Sequence, residues 1–386
     1  MSAPTGDDPA LFAIEARQGY IEAMCIVVPR DRPLTEPSRI LVVRTDRLGD
    51  VVLTLPVFTA LRRCFPGAHL GMLAGRYAGA IVEGYPRVDE ILWYDDAGGL
   101  VPFRRMMARL RAGRFGAAII VHPTARLALL VFLARIPVRV GTGYRTYSFL
   151  FNRRVYTHRK TAERHEVEYN LDLLSPLGCV AVAARPLDVP LDIGPGARER
   201  ASAVLESAGV TGRFVVIHAG SGGSAREWPL ENFGLLARRI IERMNLAVVV
   251  TGTGGEAVRV EEVVRASSGR AVSLAGQLSV KELAALLQKA SLVVANSTGP
   301  LHVGVAVGTP VVGLFPRIPV MGPRRWGPFT DNARVLVPER PALCDECGGI
   351  AGTPCACMAS ITVETAYRAA ADLLAAPALT QEISRT

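Results

Sequence analysis

The sequence predicts an α/β protein made of two doubly wound, Rossmann-like parallel-sheet domains facing a cleft. Three observations predict it. Short Val-, Ile- and Leu-rich runs recur without polar alternation, as in strands buried on both faces. Each gives way to a stretch of helical character, and strands alternating with helices imply parallel pairing with helices above and below the sheet. A Pro-, Gly- and Asp-bearing stretch, 186–195, then divides the series into two halves. At 386 residues and 49% hydrophobic, the chain is long enough for each half to bury its own core.

Taken in order, residues 1–38 read as an N-terminal extension, and a first domain runs over 39–190. Its predicted strands are 40–43, 69–74, 91–94, 117–121 and 138–141, and its predicted helices are 53–64, 103–112, 125–134 and 166–174. The second domain, 191–375, repeats the beat with strands at 214–218, 247–251, 271–274, 292–295 and 311–315. Helices are predicted between them at 232–243, 257–267 and 280–289, and one starting with Pro300 follows the fourth strand. Residues 376–386 form a C-terminal tail.

Composition narrows the function classes. An excess of 44 Lys plus Arg over 35 Asp plus Glu gives a net charge of +9, which favours anionic partners. The basic residues are mostly arginines spread over 104–159 and suit a solvated face. With 6% aromatic residues and no interleaving of aromatic and basic positions, a metal-stabilised nucleic-acid-binding protein is the distant alternative, and no nucleic acid is expected. No apolar run reaches bilayer-spanning length, since 127–136 is broken by Arg135, and 1–38 lacks the pattern of a secretory signal. A cytoplasmic protein is therefore expected.

In open α/β sheets ligands bind beyond the carboxyl ends of the strands, so the loops after the strands carry the chemistry. After the first strand, Asp50 in Arg44–Val51 suits a general base or a helix cap. After the first strand of the second domain, Ala219-Gly220-Ser221-Gly222-Gly223-Ser224-Ala225-Arg226 offers backbone N–H groups and a fixed cation for a phosphate, or else is a plain surface connection. Thr251–Ala257 superficially satisfies the dinucleotide G-x-G-x-x-A pattern, but no acidic residue ends the next strand, so Glu256 is better placed to accept from ribose hydroxyls.

Asn296-Ser297-Thr298-Gly299-Pro300-Leu301-His302 lies where a strand should pass into a helix. There the free first-turn N–H groups and the helix dipole make an anion site, unless Ser297 merely caps and His302 merely packs. Cys344, Cys347, Cys355 and Cys357 crowd one Gly- and Pro-rich loop and read as a structural Zn²⁺ or iron site, with disulfides or plain thiols as alternatives. Cys25, Cys64 and Cys179 read as buried thiols, and His122 as cleft-lining or structural.

The order of these loops is more telling than any one of them. R-x-D-R-L-G-D-V at 44–51, A-G-S-x₄-R-E-W-P at 219–229, and S-T-G-P-L-H-V at 297–303 followed by G-T-P-V-V-G-L-F together resemble glycosyltransferase family 9, the heptosyltransferases of lipopolysaccharide core assembly. The resemblance runs from about residue 39 to 375. It implies the GT-B arrangement, an acceptor held by the first domain and a nucleotide sugar by the second. It places Asp50 on the catalytic base, Arg226 on a basic donor contact and Glu256 on a ribose contact. Ser221, Ser297, Thr298, Gly299 and His302 fall on the other donor contacts. It implies an inverting transfer of heptose from an ADP-heptose-type donor to an anionic glycan or glycolipid, with no catalytic cofactor and with peripheral contact to the inner membrane. The alternative is a GT-B enzyme using another nucleotide sugar or a protein acceptor. The family usually has Asp where this chain has Ser297, a departure that bears on the donor sugar.

Overall fold

Ile40, Leu41, Val42 and Val43 carry no side-chain hydrogen-bonding group and have no accessible surface, so the strand they form has to lie between two layers. In the computed structural model, which describes residues 25–27, 37–339 and 356–375, it is the central strand of a six-stranded sheet. The strands are β1 (Arg39–Val43), β2 (His69–Ala74), β3 (Glu90–Trp93), β4 (Ala117–Ile120), β5 (Val138–Thr142) and β6 (Arg153–Val155). Their order is β3-β2-β1-β4-β5-β6, every pair parallel.

The second sheet holds β7 (Phe214–His218), β8 (Ala247–Thr251), β9 (Val272–Ser273), β10 (Leu292–Asn296), β11 (Val311–Leu314) and β12 (Ala333–Leu336). Its order, β9-β8-β7-β10-β11-β12, repeats that of the first and is again all parallel. In each sheet the winding reverses beside the first strand, between β1 and β4 and between β7 and β10. Those are the points where a doubly wound sheet opens a crevice.

In the first lobe, helices α1 (Leu48–Val52) and α2 (Leu55–Cys64) follow β1, α3 (Phe103–Ala112) precedes β4, and α4 (Ala125–Leu133) and α5 (Glu166–Asp172) come after it. Leu41, Val43 and Ile120 pack under α3 and α4, whereas Ile40, Val42 and Ile119 pack under α2 and α5. The alternation along β1 thus divides two cores. In the second lobe α6 (Pro195–Ser207), α7 (Leu230–Met244), α8 (Ala257–Ala266), α9 (Val280–Lys289), α10 (Gly299–Ala306) and α11 (Val363–Ala375) cover both sheet faces.

Several expectations need correction. The predicted helix 53–64 is α2, starting two residues later, and a separate short helix, α1, precedes it unpredicted. The edge strands β6 and β12 escape a search for apolar runs because edges are half solvated: Arg153 and Arg154 are exposed on β6. Residues 186–195 do connect the two sheets, but not as a loose linker: Leu187, Val189 and Ile193 are buried, and the Leu187 N–H donates to the Phe329 carbonyl at 3.1 Å. Cys64 and Cys179 are joined as a disulfide between the end of α2 and the short strand Cys179–Ala181, so they are not thiols. They are 115 residues apart in the chain, which conceals the pairing from a local reading.

The lobes meet backbone to backbone where α1 faces the start of α10. A Cβ on Gly49 would stand 2.7 Å from the His302 Cδ2 and 3.2 Å from the Gly299 Cα; one on Gly299 would stand 3.0 Å from the Leu48 Cβ. A side chain at Gly49 would force the opposing lobe to shift, and one at Gly299 would press on Leu48. Gly49→Ala is accordingly expected to wedge the lobes apart and lower kcat/KM about 10²-fold, the scale of an ångström of misplacement at a reacting centre. A thermal melt close to the parent's alongside that loss identifies misplacement, while wild-type turnover would show that the approach is dispensable.

Candidate active site

The cleft between the lobes holds a cavity of about 830 Å³, a size suited to a small organic ligand, lined by residues from both sheets. Its floor on the first lobe is the turn after β1. Arg44 leaves that strand with its backbone N–H given to the Leu73 carbonyl at 3.0 Å, so its guanidinium is buried and aimed at neighbouring carboxylates. It donates to Asp46 at 2.7 Å, to Asp50, and to Glu166 at 3.5 Å. Glu166, in the first turn of α5, also accepts from Arg159 at 2.6 Å and from Arg325 of the second lobe at 2.9 Å. Asp46, Asp50 and Glu166 therefore face Arg44, Arg159 and Arg325 one for one. Such matching is what allows charges to be buried.

Asp50 stands apart within this balance. Burial raises its pKa; Arg44 pulls it down, but that cation is shared with Asp46 and Glu166, whose own charges push it back up. The outcome is about 6. Asp46 and Glu166 go the other way: burial opposes ionisation in each, yet Arg44 with His122 on one, and Arg159, Arg44 and Arg325 on the other, hold them below the usual carboxylate range. Asp50 alone among the three is poised to exchange a proton near neutrality. Nor is it the cap of α1: that position belongs to Arg47, and Asp50 is the third helical residue, lining the cavity.

Across the gap, Ser297, Thr298, Gly299, Pro300 and His302 line the same cavity at the start of α10. The cap position is Thr298, whose side chain makes no capping bond, so the role considered for Ser297 falls away. The Ser297 N–H is given to the Leu314 carbonyl at 3.1 Å, and Pro300 has no N–H. The first-turn amides that this helix start can offer an anion are thus those of Gly299 and Leu301, on either side of the proline. His302 is buried, its Nδ1 has no partner among the described residues, and burial, with His165 adding to it, pushes its pKa down to about 3. It faces the cavity as a neutral imidazole.

The turn after β7 completes the wall. Its backbone is pinned by Asn296, which donates to the Ala219 carbonyl at 2.6 Å and accepts from the Trp228 N–H at 3.0 Å. Ser221 lines the cavity, its N–H held by Glu227 at 2.8 Å. Arg226 does not reach the lining: it lies buried behind this turn, with Nε and Nη1 unpartnered among the described residues. Glu256 does line the cavity. One of its oxygens takes the Thr253 N–H at 2.8 Å and hydroxyl at 2.9 Å, which outweighs burial and keeps the carboxyl ionised below its ordinary range. His122 meets Asp46 at 2.9 Å but stays outside the cavity lining.

The cysteine loop is a different matter. Cys344, Cys347 and Cys355 lie outside the described residues, and Cys357 is buried beside Met358 and Ile361 in the core of the second lobe. Among the described residues, no group of three or more His, Cys, Asp or Glu side chains could hold a metal ion. Nor is any described helix long and apolar enough to cross a membrane.

What a local reading of the sequence leaves out is the charge cluster behind Asp50. Arg44 and Asp46 stand in the motif at 44–51 without an assigned part, while Arg159, Glu166 and Arg325 reach it from distant segments, Arg325 lying 275 residues beyond Asp50 in the chain (325 − 50). The alignment of Glu166 and Arg159 with Asp50 has no local signal.

Comparison with known proteins agrees with this architecture. The family model described as glycosyltransferase family 9 (heptosyltransferase) matches residues 103–347. A putative glycosyltransferase of Haemophilus influenzae is 27% identical over 301 residues, 76% of this chain and 87% of that protein. Lipopolysaccharide heptosyltransferase 3 of Escherichia coli is 24% identical over 292 residues, covering 74% and 84%. In fold, the chain is similar to the E. coli ADP-heptose lps heptosyltransferase II, with a TM-score of 0.70 at 22% identity, covering 87% of this chain and 98% of that one.

Proposed function

This chain belongs to glycosyltransferase family 9, and from that premise we propose that it moves a heptose from ADP-heptose to a hydroxyl of a lipopolysaccharide-core or related glycan, inverting the anomeric configuration. The observation that carries the reading is the placing of Asp50, a carboxylate poised near neutrality, on the same cavity as the start of α10.

In this scheme the acceptor lies against the first lobe and the nucleotide sugar against the second. Asp50 takes the proton of the acceptor hydroxyl as its oxygen bonds to the anomeric carbon. The bond from that carbon to the diphosphate breaks on the opposite side, and the electron pair leaves with ADP. Charge gathering on the diphosphate meets the amides of Gly299 and Leu301 and the dipole of α10. Arg226 adds fixed positive potential from behind the Ser221 turn. Glu256 accepts from the ribose, and the neutral His302 contacts the donor by hydrogen bonding rather than by charge. The acceptor is lipid-borne, which sets the enzyme to work on the cytoplasmic surface of the inner membrane.

Nucleotide choice tests this directly. ADP at a hundred times its dissociation constant is expected to stabilise the fold by about 2.7 kcal/mol, a melting rise of several degrees, with UDP and GDP producing little. Stabilisation by UDP or GDP in place of ADP would overturn the donor assignment. Ser297, standing where the family usually has Asp, makes the sugar itself the next quantity to measure, by comparing ADP-heptose with ADP-hexoses in a transfer assay.

A further inference from the structure

Residues 97–162 contain twelve arginines and Lys160 but no Asp or Glu, against a net charge of +9 for the whole chain. All the other residues taken together are net acidic. The fold gathers much of this segment on one side of the first lobe, because α3 and α4 bury Met106, Leu110, Leu127 and Leu130 against the same sheet face and lie side by side. Arg111 at the end of α3 donates to the Leu133 carbonyl at the end of α4 at 2.9 Å.

Their outer faces differ in kind. On α3, Arg104, Arg105 and Arg109 are exposed, and none forms an ion pair among the described residues. On α4, Leu129, Phe132 and Leu133 face solvent at 39%, 43% and 36% exposure. Phe149, in the turn packed beside α4, reaches 71%. The nearest acidic residues before α3 in the chain are Asp95 and Asp96 of the preceding hairpin, and none occurs within α3 or α4. A solvated face has no need of a leucine–phenylalanine cluster, and a nucleic-acid groove would not place aliphatic side chains beside its arginines. Arginines next to exposed aliphatic and aromatic side chains are the two halves of an interfacial membrane contact: the guanidiniums meet anionic headgroups while the apolar groups enter the acyl boundary.

We propose that the outer face of α3 and α4, with Phe149, docks the enzyme on an anionic lipid bilayer. The surface runs back to the reaction cleft, since α4 begins three residues after His122, which is hydrogen-bonded to Asp46 on the cavity wall. A glycan standing up from the bilayer would meet the Asp50 side of the cleft. The placement rests on the proposed lipid-borne acceptor, but the lipid contact itself needs no acceptor.

The test is co-sedimentation of the full chain with vesicles free of any glycan, either phosphatidylglycerol with phosphatidylethanolamine or phosphatidylcholine alone. Binding to the anionic vesicles, weakened by salt, is expected, with little to phosphatidylcholine. Each arginine near such a surface strengthens binding about fivefold. The triple variant R104E/R105E/R109E is thus expected to lose more than about a hundredfold, and L129S/F149S several-fold. Both should keep the parent's melting temperature and its rate on a delipidated, water-soluble acceptor. Equal pelleting of parent and triple variant would overturn the proposal, as would binding to duplex DNA without binding to anionic vesicles. Vesicle binding by a protein that transfers no heptose would leave this surface standing and overturn the activity instead.

Discussion

Asp50→Asn is expected to lower kcat by about 10² to 10⁴-fold with ADP affinity nearly unchanged, the loss that follows when a general base is removed from an intact binding site. The amide keeps the volume of the carboxylate and a carbonyl oxygen for Arg44, which still has Asp46 and Glu166, so the fold is not at stake. The pH dependence carries the sharper signature. The carboxylate is the active form and its pKa is raised to about 6, so kcat/KM of the parent should be flat above that value and fall tenfold per unit below it. The Asn variant should lose this acid limb. Near-parental turnover in the variant would remove Asp50 from the chemistry, and an unaltered acid limb would assign the titration to another group.

Glu166→Ala is expected to cost about 3–5 kcal/mol of stability, because it strips a shared counter-charge from buried guanidiniums and leaves them facing one another. Arg159 and Arg325 are held by the Glu166 carboxylate at 2.6 and 2.9 Å, and Arg325 is the second lobe's contribution to the cluster. In a chain of this size that corresponds to a fall in melting temperature of about five degrees. A purely structural role would stop there. Glu166 also raises the Asp50 pKa by its charge and by competing for Arg44, so Glu166→Gln should move the acid limb of kcat/KM to lower pH. A melting temperature within a degree of the parent's would show that the cluster does not hold the lobes, and an unmoved limb would separate Glu166 from the chemistry.

Most of the architecture can be read from residue patterns because the central strands are uniform. Runs such as Phe214–His218 and Ala247–Thr251 have no solvated face to blur them, and their predicted limits coincide with the observed ones. Edges are harder: Arg153–Val155 is strand only because β5 offers it a ladder to join. The loops at the winding reversals stand out by their Gly, Ser, Asp and His content, which is how Asp50, Ser221, Glu256 and the Ser297–His302 segment come to notice, and all of them line one cavity. Arg226 shows the limit of that reading: charge type can be read from sequence, but the depth at which a side chain lies is set by the tertiary fold, which buries Arg226 off the cavity lining. The Arg44–Glu166–Arg325 cluster has no periodicity at all, since tertiary structure assembles it from separate segments.

The two sheets share one strand order, and in both most cavity-lining groups hang from the turns and helix starts beyond the strands, with only the strand-end residues His218 and Thr251 joining them from the second sheet. Each half is thus a scaffold whose preferences are written in replaceable segments. Exchange of the turns after β8 and β10 with those of a relative should retune the donor and leave the acceptor alone, while the β1 turn stays constant because it must fit both. Diversification in such a molecule proceeds one side at a time.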